Sequence, residues 1–332
     1  MDITIKEAAK QLRHHDHILI LSHRAPDGDT LGCAAALAMG LATLQKQVRF
    51  ACSDEVPKKF ADLFSEVSVF DPAQPNEDFR AGFLVSVDIA ARNLFGDALS
   101  GYPDQVDLCI DHHQSNDGFA RQRCLDATAA ATGEIIYALL RELQVPIHSK
   151  IADCLYTAIS TDTGCFKYPN TTSRTLRIAA DLVDAGANAA DINRRMFDTV
   201  SKARLALERL ALERLEYHFG GRCVSMDLPR ALMEETGAKG SDLDGITSLP
   251  RQIEGALLGI TIRERKDGGY KLSLRGQPPV DCAAICERFG GGGHRGAAGC
   301  TFDTLPLEEV KRQILTAAGE HLLTLGLLHD AP

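Results

Sequence analysis

The chain has 332 residues with 45% hydrophobic and 24% charged residues, no tryptophan and a formal net charge of −9. This length predicts two domains, and the composition is ordinary for a soluble globular protein. The negative charge argues against broad, charge-driven binding of long nucleic acid, and aromatic residues are too scarce for a long stacking platform. An anionic substrate would therefore have to be held by metal ions and a few local arginines and lysines.

The ten cysteines are scattered, and no two of them form a Cys-x-x-Cys pair. That distribution predicts small buried thiols in a reducing cytosol. The chain opens without a recognisable secretory signal, and no apolar stretch approaches the roughly 18 residues that span a bilayer. We therefore expect a cytoplasmic protein with no membrane association.

The first half of the chain alternates predicted strands and helices. Short apolar runs predict strands at 17–21, 48–51, 67–70, 83–87 and 106–110. Longer segments predict helices at 5–14, 30–44, 129–143 and 150–160. This alternation is typical of an α/β domain built on a parallel sheet.

The second half has a different pattern. Residues 198–216 predict one charged, leucine-rich helix, and two runs at 257–265 and 270–275 predict a hairpin around Asp267-Gly268-Gly269. A helix at 282–289 then enters a run of four glycines. We predict a parallel-sheet domain at 1–195, a helical linker at 196–218 and a smaller mixed α/β domain at 219–332.

Acidic and histidine side chains follow apolar runs at four separate places, and they are His23, Asp27, Asp29, Asp88, Asp111, His112, His113 and Asp162. An open parallel sheet presents ligands beyond the carboxyl ends of its strands, so these clusters can converge. Each has a plainer interpretation alone: Pro26-Asp27-Gly28 suits a turn, and Asp88 or Asp162 suits a cap. Together they predict two divalent cations, and the mixture of carboxylates with imidazoles favours Mn²⁺ over Mg²⁺, Co²⁺ or Zn²⁺.

These motifs resemble the DHH family of phosphoesterases, whose name matches Asp111-His112-His113. The resemblance implies two ligand sets that share Asp88, with His23, Asp27 and Asp88 on one cation and Asp29, Asp88, His112 and Asp162 on the other. It implies that His113 contacts the substrate phosphate or assists the leaving group, and that Asp111 orients the site. Two such cations can clamp the attacking and leaving oxygens of a phosphoryl transfer.

The glycine run Gly290–Gly293 is followed by His294 and Arg295. Consecutive glycines expose backbone N–H groups to a phosphate, although a tight turn between helix and strand is the plainer interpretation. The run is neither a P-loop nor a dinucleotide fingerprint, because no Gly-Lys-Ser/Thr follows it and a helix precedes it. It resembles the GGGH motif of the DHHA1 domain, which implies substrate contacts from Gly291, Gly292, Gly293, His294, Arg295 and the upstream Arg275. Gly276 stands where that family's pattern has serine.

The arrangement resembles most closely the stand-alone nanoRNase and pAp-phosphatase group of the family. It implies a manganese-dependent enzyme that degrades short oligoribonucleotides to mononucleotides and converts pAp to AMP. One alternative is the same chemistry on cyclic di-AMP or linear pApA. Another is a non-catalytic nucleotide-binding module, which the complete ligand set disfavours. The expected partners are thus short oligoribonucleotides, pAp or a dinucleotide, without long nucleic acid; a homodimer stays open.

Overall fold

A computed structural model of the chain describes residues 1–72, 79–243 and 245–328. The chain divides into two units, Met1–Thr199 and Val200–Pro332. The segment that we expected to link two domains therefore lies mostly at the start of the second unit. The last four residues of the predicted domain 219–332 lie outside the described residues.

Apolar runs of the first unit form a five-stranded sheet, with strands β1 Ile18–Leu21, β2 Val48–Ala51, β3 Phe83–Val87, β4 Leu108–Asp111 and β5 Gln122–Leu125. The strands lie in the order β2-β1-β3-β4-β5, and every neighbouring pair is parallel. All four residues of β1 are buried, as expected for a sheet covered on both faces. The predicted α/β class with a parallel sheet is confirmed.

The helices of this unit are α1 Ile5–His14, α2 Gly28–Thr43, α3 Thr132–Glu142, α4 Ser149–Asp162, α5 Ser173–Asp184 and α6 Ala189–Asn193. Helix α2 is rich in alanine and glycine and packs closely on α4. A Cβ atom added to Gly28 would lie 2.3 Å from Thr161 Oγ1, and one added to Gly32 would lie 2.4 Å from the Cys154 carbonyl oxygen. Small residues therefore let the first turn of α2 lie beside the last turn of α4.

The second unit contains a six-stranded mixed sheet, with strands β6 Leu215–His218, β7 Cys223–Leu228, β8 Leu258–Glu264, β9 Tyr270–Gly276, β10 Gly292–His294 and β11 Ala297–Phe302. Its order is β10-β11-β9-β8-β7-β6, and only β7 and β8 are parallel. The accompanying helices are α7 Lys202–Leu212, α8 Arg230–Thr236, α9 Cys282–Glu287 and α10 Leu307–Thr324. The predicted mixed α/β character of this half is confirmed.

Three local predictions differ from the structure. The segment 67–70 is not a strand, since Val69 makes only an isolated bridge to Phe50 and is 60% exposed. Strand β5 was not expected. The helix predicted over 198–216 ends at Leu212, because residues 215–218 pair antiparallel with β7 and extend its sheet.

Short 3-10 turns lie at Lys58–Phe64, Arg92–Leu94, Pro103–Gln105, Phe219–Gly221, Gly240–Leu243 and Ile246–Gln252, and a π-helical turn lies at Arg194–Asp198. Within the three described ranges, no helix has the length and apolar character that crossing a bilayer requires.

Candidate metal centre

The loop after β1 carries His23 and Asp27. Asp27 caps α2, because its Oδ1 accepts hydrogen bonds from the backbone N–H groups of Asp29 at 3.0 Å and Thr30 at 3.1 Å. The same oxygen lies 3.7 Å from His23 Nε2. The plain interpretation of Asp27 as a turn and cap residue is therefore correct, and the cap also fixes its carboxylate beside the imidazole.

Asp88 follows β3 in a left-handed backbone conformation, with a φ of 59°. This conformation costs a non-glycine residue about 1–2 kcal/mol and is concentrated at functional sites. Its carboxylate is only 3% exposed and points to two imidazoles: Oδ2 lies 3.7 Å from His23 Nε2, and Oδ1 lies 3.7 Å from His112 Nε2. The next helical turn begins at Arg92, so Asp88 does not cap it.

Asp29 lies in the first turn of α2 and is almost completely buried. Its carboxylate accepts hydrogen bonds from the backbone N–H groups of Thr132 at 2.7 Å and Gly133 at 3.0 Å, both in the first turn of α3. The N-cap residue of that helix, Ala131, supplies no side-chain cap. The carboxylate of Asp29 therefore accepts hydrogen bonds from the N-terminal N–H groups of α3, as a cap side chain would. These hydrogen bonds fix the carboxylate inside the site.

Asp162 is the last residue of α4, where a carboxylate is unfavourably placed in the helix dipole. Its Oδ2 lies 3.6 Å from His112 Nε2, and its side chain is 31% exposed. Asn170 Nδ2 donates a hydrogen bond of 3.2 Å to the Asp162 backbone carbonyl. Because an acidic residue at this end of the helix does not stabilise it, we infer that Asp162 has a functional role.

Among the described residues, three groups could each offer donor atoms within 4.8 Å of one another. The groups are His23, Asp27 and Asp88; Asp29, His112 and Asp162; and Asp88, His112 and His113. The structure thus brings together all six side chains that the sequence analysis expected to hold cations. Mixed carboxylate and imidazole donors at these distances suit divalent cations.

The electrostatics of the cluster also fit divalent cations. Burial, followed by repulsion from Asp88 and Asp162, raises the pKa of Asp29 well above its usual value. Burial likewise raises the pKa of Asp88, and it raises that of Asp162 to about 6. Carboxylates packed this closely repel one another unless positive charge lies between them.

The imidazole of His23, when it is protonated, supplies positive charge to this group of carboxylates. Burial alone would lower the pKa of His23, but attraction to the carboxylates of Asp27 and Asp88, each 3.7 Å from Nε2, raises it to about 10. A protonated imidazole is therefore stabilised between two carboxylates. A cation that binds there must displace this proton.

Asp111 lies behind the cluster and is fully buried. Its Oδ1 accepts a 2.8 Å hydrogen bond from His113 Nδ1, and its Oδ2 accepts a 2.6 Å hydrogen bond from Asn116 Nδ2. The Asp111 hydrogen bond, opposed by partial burial, raises the pKa of His113 to about 9. This geometry fits an orienting role for Asp111 and leaves His113 Nε2 for another partner.

Sequence reasoning missed two residues that support the site, Asn116 and Thr132. Asn116 holds Asp111, while Thr132 Oγ1 donates a 2.9 Å hydrogen bond to Asp88 Oδ1. Neutral polar residues carry no charge pattern that would mark them. The one available signal was the position of Asn116 in the short loop that follows the His112-His113 pair.

The second unit contains a cavity of about 700 Å³ beside the glycine run. Of the residues expected to contact substrate, four line this cavity, and they are Arg275, Gly291, Gly292 and Gly293. His294 and Arg295 do not line it: His294 is exposed, and the Arg295 guanidinium lies 3.3 Å from Asp281 Oδ2. Lys271 and Ser273 line it as well, and sequence reasoning did not single them out.

The glycines of the run serve two purposes. A Cβ atom on Gly291 would lie 2.3 Å from the Gly299 carbonyl oxygen, so the chain there needs glycine to pack against β11. A Cβ atom on Gly292 would meet no described atom within 4 Å, so that position is open to a ligand.

Gly276, at the end of β9, is glycine because of packing, since a Cβ atom there would lie 2.8 Å from Cys282 Sγ. The serine of the family pattern therefore does not fit at 276 in this packing.

Comparison with known families matches both units. The N-terminal domain model of the DHH family matches residues 17–159, and the DHHA1 domain model matches residues 226–322. The chain belongs to the DHH family. The resemblance drawn from Asp111-His112-His113 and from the glycine run is thereby confirmed.

Individual relatives of this DHH-family chain agree with that assignment. The bifunctional oligoribonuclease and PAP phosphatase NrnA of Thermus thermophilus is 33% identical over 313 residues, which cover 94% of this chain and 92% of the relative. The cyclic-di-AMP phosphodiesterase GdpP of Geobacillus thermodenitrificans is 25% identical over 96% of this chain, but only 49% of GdpP is covered. A crystal structure of an exopolyphosphatase-related protein from Bacteroides fragilis has the same fold, with a TM-score of 0.85, 23% identity and 97% of each chain covered.

Proposed function

We propose that this protein is a two-metal phosphoesterase that hydrolyses short oligoribonucleotides to mononucleotides and dephosphorylates pAp to AMP. The observation that carries the proposal is the Asp88 carboxylate, whose two oxygens face His23 and His112 separately. The nearly full-length match to an NrnA protein supports the substrate class. Ten free cysteines support a reducing cytoplasm as its setting.

We assign the two ligand sets as the motifs implied them, with His23, Asp27 and Asp88 on one ion and Asp29, Asp88, His112 and Asp162 on the other. The donor mixture favours Mn²⁺. When bound, the two ions would polarise the scissile phosphate and acidify the attacking water. The protein's own contribution is to fix these donors: Asp27 is held by the α2 cap, Asp29 by the α3 N-terminus and Asp88 by Thr132.

His113 is the proposed proton donor or phosphate contact. Its Nδ1 is committed to Asp111, its side chain is 42% exposed, and its pKa is raised to about 9. An imidazole that is protonated at neutral pH can bind a phosphate oxygen or protonate a leaving oxygen. Asp111 would keep the ring in the required tautomer and orientation.

We propose that the cavity of the second unit binds the phosphate or sugar end of the substrate. Lys271, Ser273 and Arg275 are alternate residues of β9, so they lie on one face of the sheet, and all three line the cavity. Ser273 supplies a hydroxyl group near the position where the family pattern has serine and this chain has Gly276. In this proposal the domain predicted at 1–195 carries the chemistry, and the domain predicted at 219–332 binds substrate.

A second candidate, supported by the match to GdpP, is the hydrolysis of cyclic di-AMP or of linear pApA. One panel separates the candidates: the Mn²⁺-loaded protein is incubated with pAp, a five-nucleotide RNA, pApA and cyclic di-AMP, and kcat/KM is compared. We expect pAp and the short RNA to exceed cyclic di-AMP by at least about tenfold, a barrier difference of about 1.4 kcal/mol.

Cyclic di-AMP as the best substrate would overturn the proposal in favour of the GdpP-like activity. A protein that binds the nucleotides but turns none of them over would be a binding module. The panel is run beside Asp88→Asn and a matched control, Asp184→Asn. Asp184 is exposed on α5, so its variant should retain the wild-type rates.

A further inference from the structure

A chain of hydrogen bonds leads from His113 to the edge of the first sheet. His113 and Asn116 both donate to the buried Asp111 carboxylate, one to each oxygen. Asn116 is held in turn by Arg123 of β5, whose Nη1 donates to the Asn116 side-chain oxygen at 3.2 Å and to its backbone carbonyl at 3.1 Å. Because β5 is the last strand in the sheet order, an arginine on the sheet edge is connected to the imidazole of the site through two side chains.

The guanidinium group of Arg123 is fixed by Asp2. The two carboxylate oxygens of Asp2 accept hydrogen bonds from Nε at 2.8 Å and from Nη2 at 3.1 Å, so the pair is bidentate. The backbone holds the two residues in register as well: the Ile3 N–H donates to the Arg123 carbonyl, and the Arg123 N–H donates to the Met1 carbonyl, both at 2.9 Å. Since Asp2 occupies Nε and Nη2, the third nitrogen, Nη1, is the one that contacts Asn116.

The contact with Arg123 matters because the Asn116 side-chain amide has a donor end and an acceptor end. The acceptor, Oδ1, is bound by Arg123 Nη1 and by the Gly118 N–H at 3.0 Å. The donor, Nδ2, is bound to Asp111 at 2.6 Å and to the Ile89 carbonyl at 3.1 Å. If the amide turned over, its oxygen would face the Asp111 carboxylate and its NH₂ group would face the guanidinium, so both contacts would become repulsive. Arg123 therefore favours the orientation of Asn116 that gives Asp111 a donor.

A neighbouring ion pair on the same sheet edge provides a comparison. Arg121, just before β5, is 71% exposed in its side chain and pairs with Asp107 at 2.7 Å. The Arg123 side chain is only 21% exposed, although its partner Asp2 is 67% exposed. An exposed pair of the first kind contributes little. The half-buried Arg123 points inward to Asn116 as well as outward to Asp2, which is unnecessary for a surface ion pair.

We propose that Arg123 is a positioning residue for His113. It acts through the Asn116 amide, which holds Asp111, and Asp2 keeps its guanidinium group in place. Because the imidazole is the proposed contact to the substrate phosphate, this role rests on the proposed function. Arg123 is not a member of the three donor groups. Its loss should therefore loosen the imidazole, which lowers the rate of the chemical step more than it weakens substrate binding.

A double-mutant cycle with pAp as the substrate tests whether Arg123 acts through Asn116. Arg123→Ala should lower kcat about fivefold or more with little change in KM, whereas the matched control Arg121→Ala should keep the wild-type kcat. In the double variant Asn116→Ala/Arg123→Ala, kcat should equal that of Asn116→Ala alone, because the contact through which Arg123 acts is already gone. Two losses that multiply overturn the proposal, and so does a wild-type kcat in a folded Arg123→Ala protein.

The position of His113 can also be measured without turnover. The His113 Nδ1 proton is observed by NMR after labelling with isotope-enriched histidine, with Mg²⁺ in place of the paramagnetic Mn²⁺. Arg123→Ala should shift this signal in the same direction as Asn116→Ala, whereas Arg121→Ala should leave it in place. If the wild type hydrolyses no nucleotide, the proposed function fails, but this signal still tests the role of Arg123.

An unchanged His113 signal in Arg123→Ala overturns the positioning role. Circular dichroism checks that each variant is folded. If Arg123→Ala does not fold, Arg123→Met takes its place in both experiments, because it keeps the apolar stem of the side chain and loses every donor. A folded Arg123→Met protein with the wild-type signal and the wild-type kcat overturns the proposal equally.

Discussion

Asp111 and His113 are joined by a 2.8 Å hydrogen bond from the imidazole Nδ1 to the carboxylate Oδ1. The carboxylate is fully buried, and its second oxygen accepts a hydrogen bond from Asn116. Burial would raise the pKa of Asp111, but the hydrogen bonds from His113 and Asn116 lower it, so it stays ionised. The orientation of His113 therefore depends on a residue that is not itself a member of any of the three donor groups.

The first prediction concerns Asn116 as a positioning residue. Asn116→Ala removes one donor from the buried Asp111, and a hydrogen bond to a charged group contributes about 1.5–3 kcal/mol. We expect kcat to fall about tenfold or more with little change in KM, and the pH dependence of kcat to shift because the His113 pKa depends on Asp111. A variant with a lower melting temperature but an unchanged pH profile would reduce Asn116 to a purely structural role.

The second prediction concerns pH and metal affinity. The pKa of His23 is raised to about 10, so its imidazole is protonated at neutral pH in the metal-free protein. Because that proton must leave before the nitrogen can bind a cation, the affinity for Mn²⁺ should weaken as the pH falls from about 8.5 to 6.5. Calorimetric titration in buffers of different ionisation enthalpy measures the released protons. Constant affinity without proton release would remove His23 from the ligand set.

The third prediction concerns removal and choice of metal. Dialysis against EDTA should abolish hydrolysis of pAp, and Mn²⁺ should restore it better than Mg²⁺, which binds imidazole poorly. Mn²⁺ should also raise the melting temperature, because it relieves the repulsion among Asp29, Asp88 and Asp162. Full activity in excess EDTA would contradict the metal mechanism.

The fourth prediction concerns the cavity of the second unit. Arg275→Ala removes a guanidinium group from the cavity wall, and we expect kcat/KM for pAp to drop about 10- to 100-fold while metal content stays unchanged. His294→Ala should cost less, because His294 does not line the cavity. Arg312→Ala is the matched control, since that side chain pairs with Glu309 on the surface of α10. Wild-type efficiency in a folded Arg275→Ala protein would exclude this cavity from substrate binding.

Most of the fold follows from local sequence pattern, and the exceptions have physical causes. Strand β5 was missed because Gln122 and Arg123 give it no apolar run, and it forms through pairing with β4. The segment around Val69 has β-branched residues but pairs only through one bridge to Phe50. The end of α7 was misplaced because residues 215–218 are compatible with a helix until β7 offers an edge to pair with.

The expected metal ligands could be predicted from the sequence, because charged side chains at the ends of strands and helices are easily recognised there. The residues that orient these ligands could not be predicted. Thr132 and Asn116 act through single hydrogen bonds to Asp88 and Asp111, and neither side chain carries a charge that would mark it in the sequence. The position of His294 outside the cavity depends on the pairing of β10 with β11, which a run of glycines does not reveal.

The most direct test of the two-metal account is the Mn²⁺ content of the wild type and of Asp88→Ala, measured together with electron paramagnetic resonance. Asp88 presents one oxygen to each imidazole, so the wild type should bind two Mn²⁺ ions that are magnetically coupled. Asp88→Ala should stay folded, lose the coupled pair and keep less than about a tenth of wild-type turnover, a barrier change above about 1.4 kcal/mol. A folded Asp88→Ala protein that keeps two coupled ions, or more than that tenth of the turnover, would contradict the bridging role of Asp88.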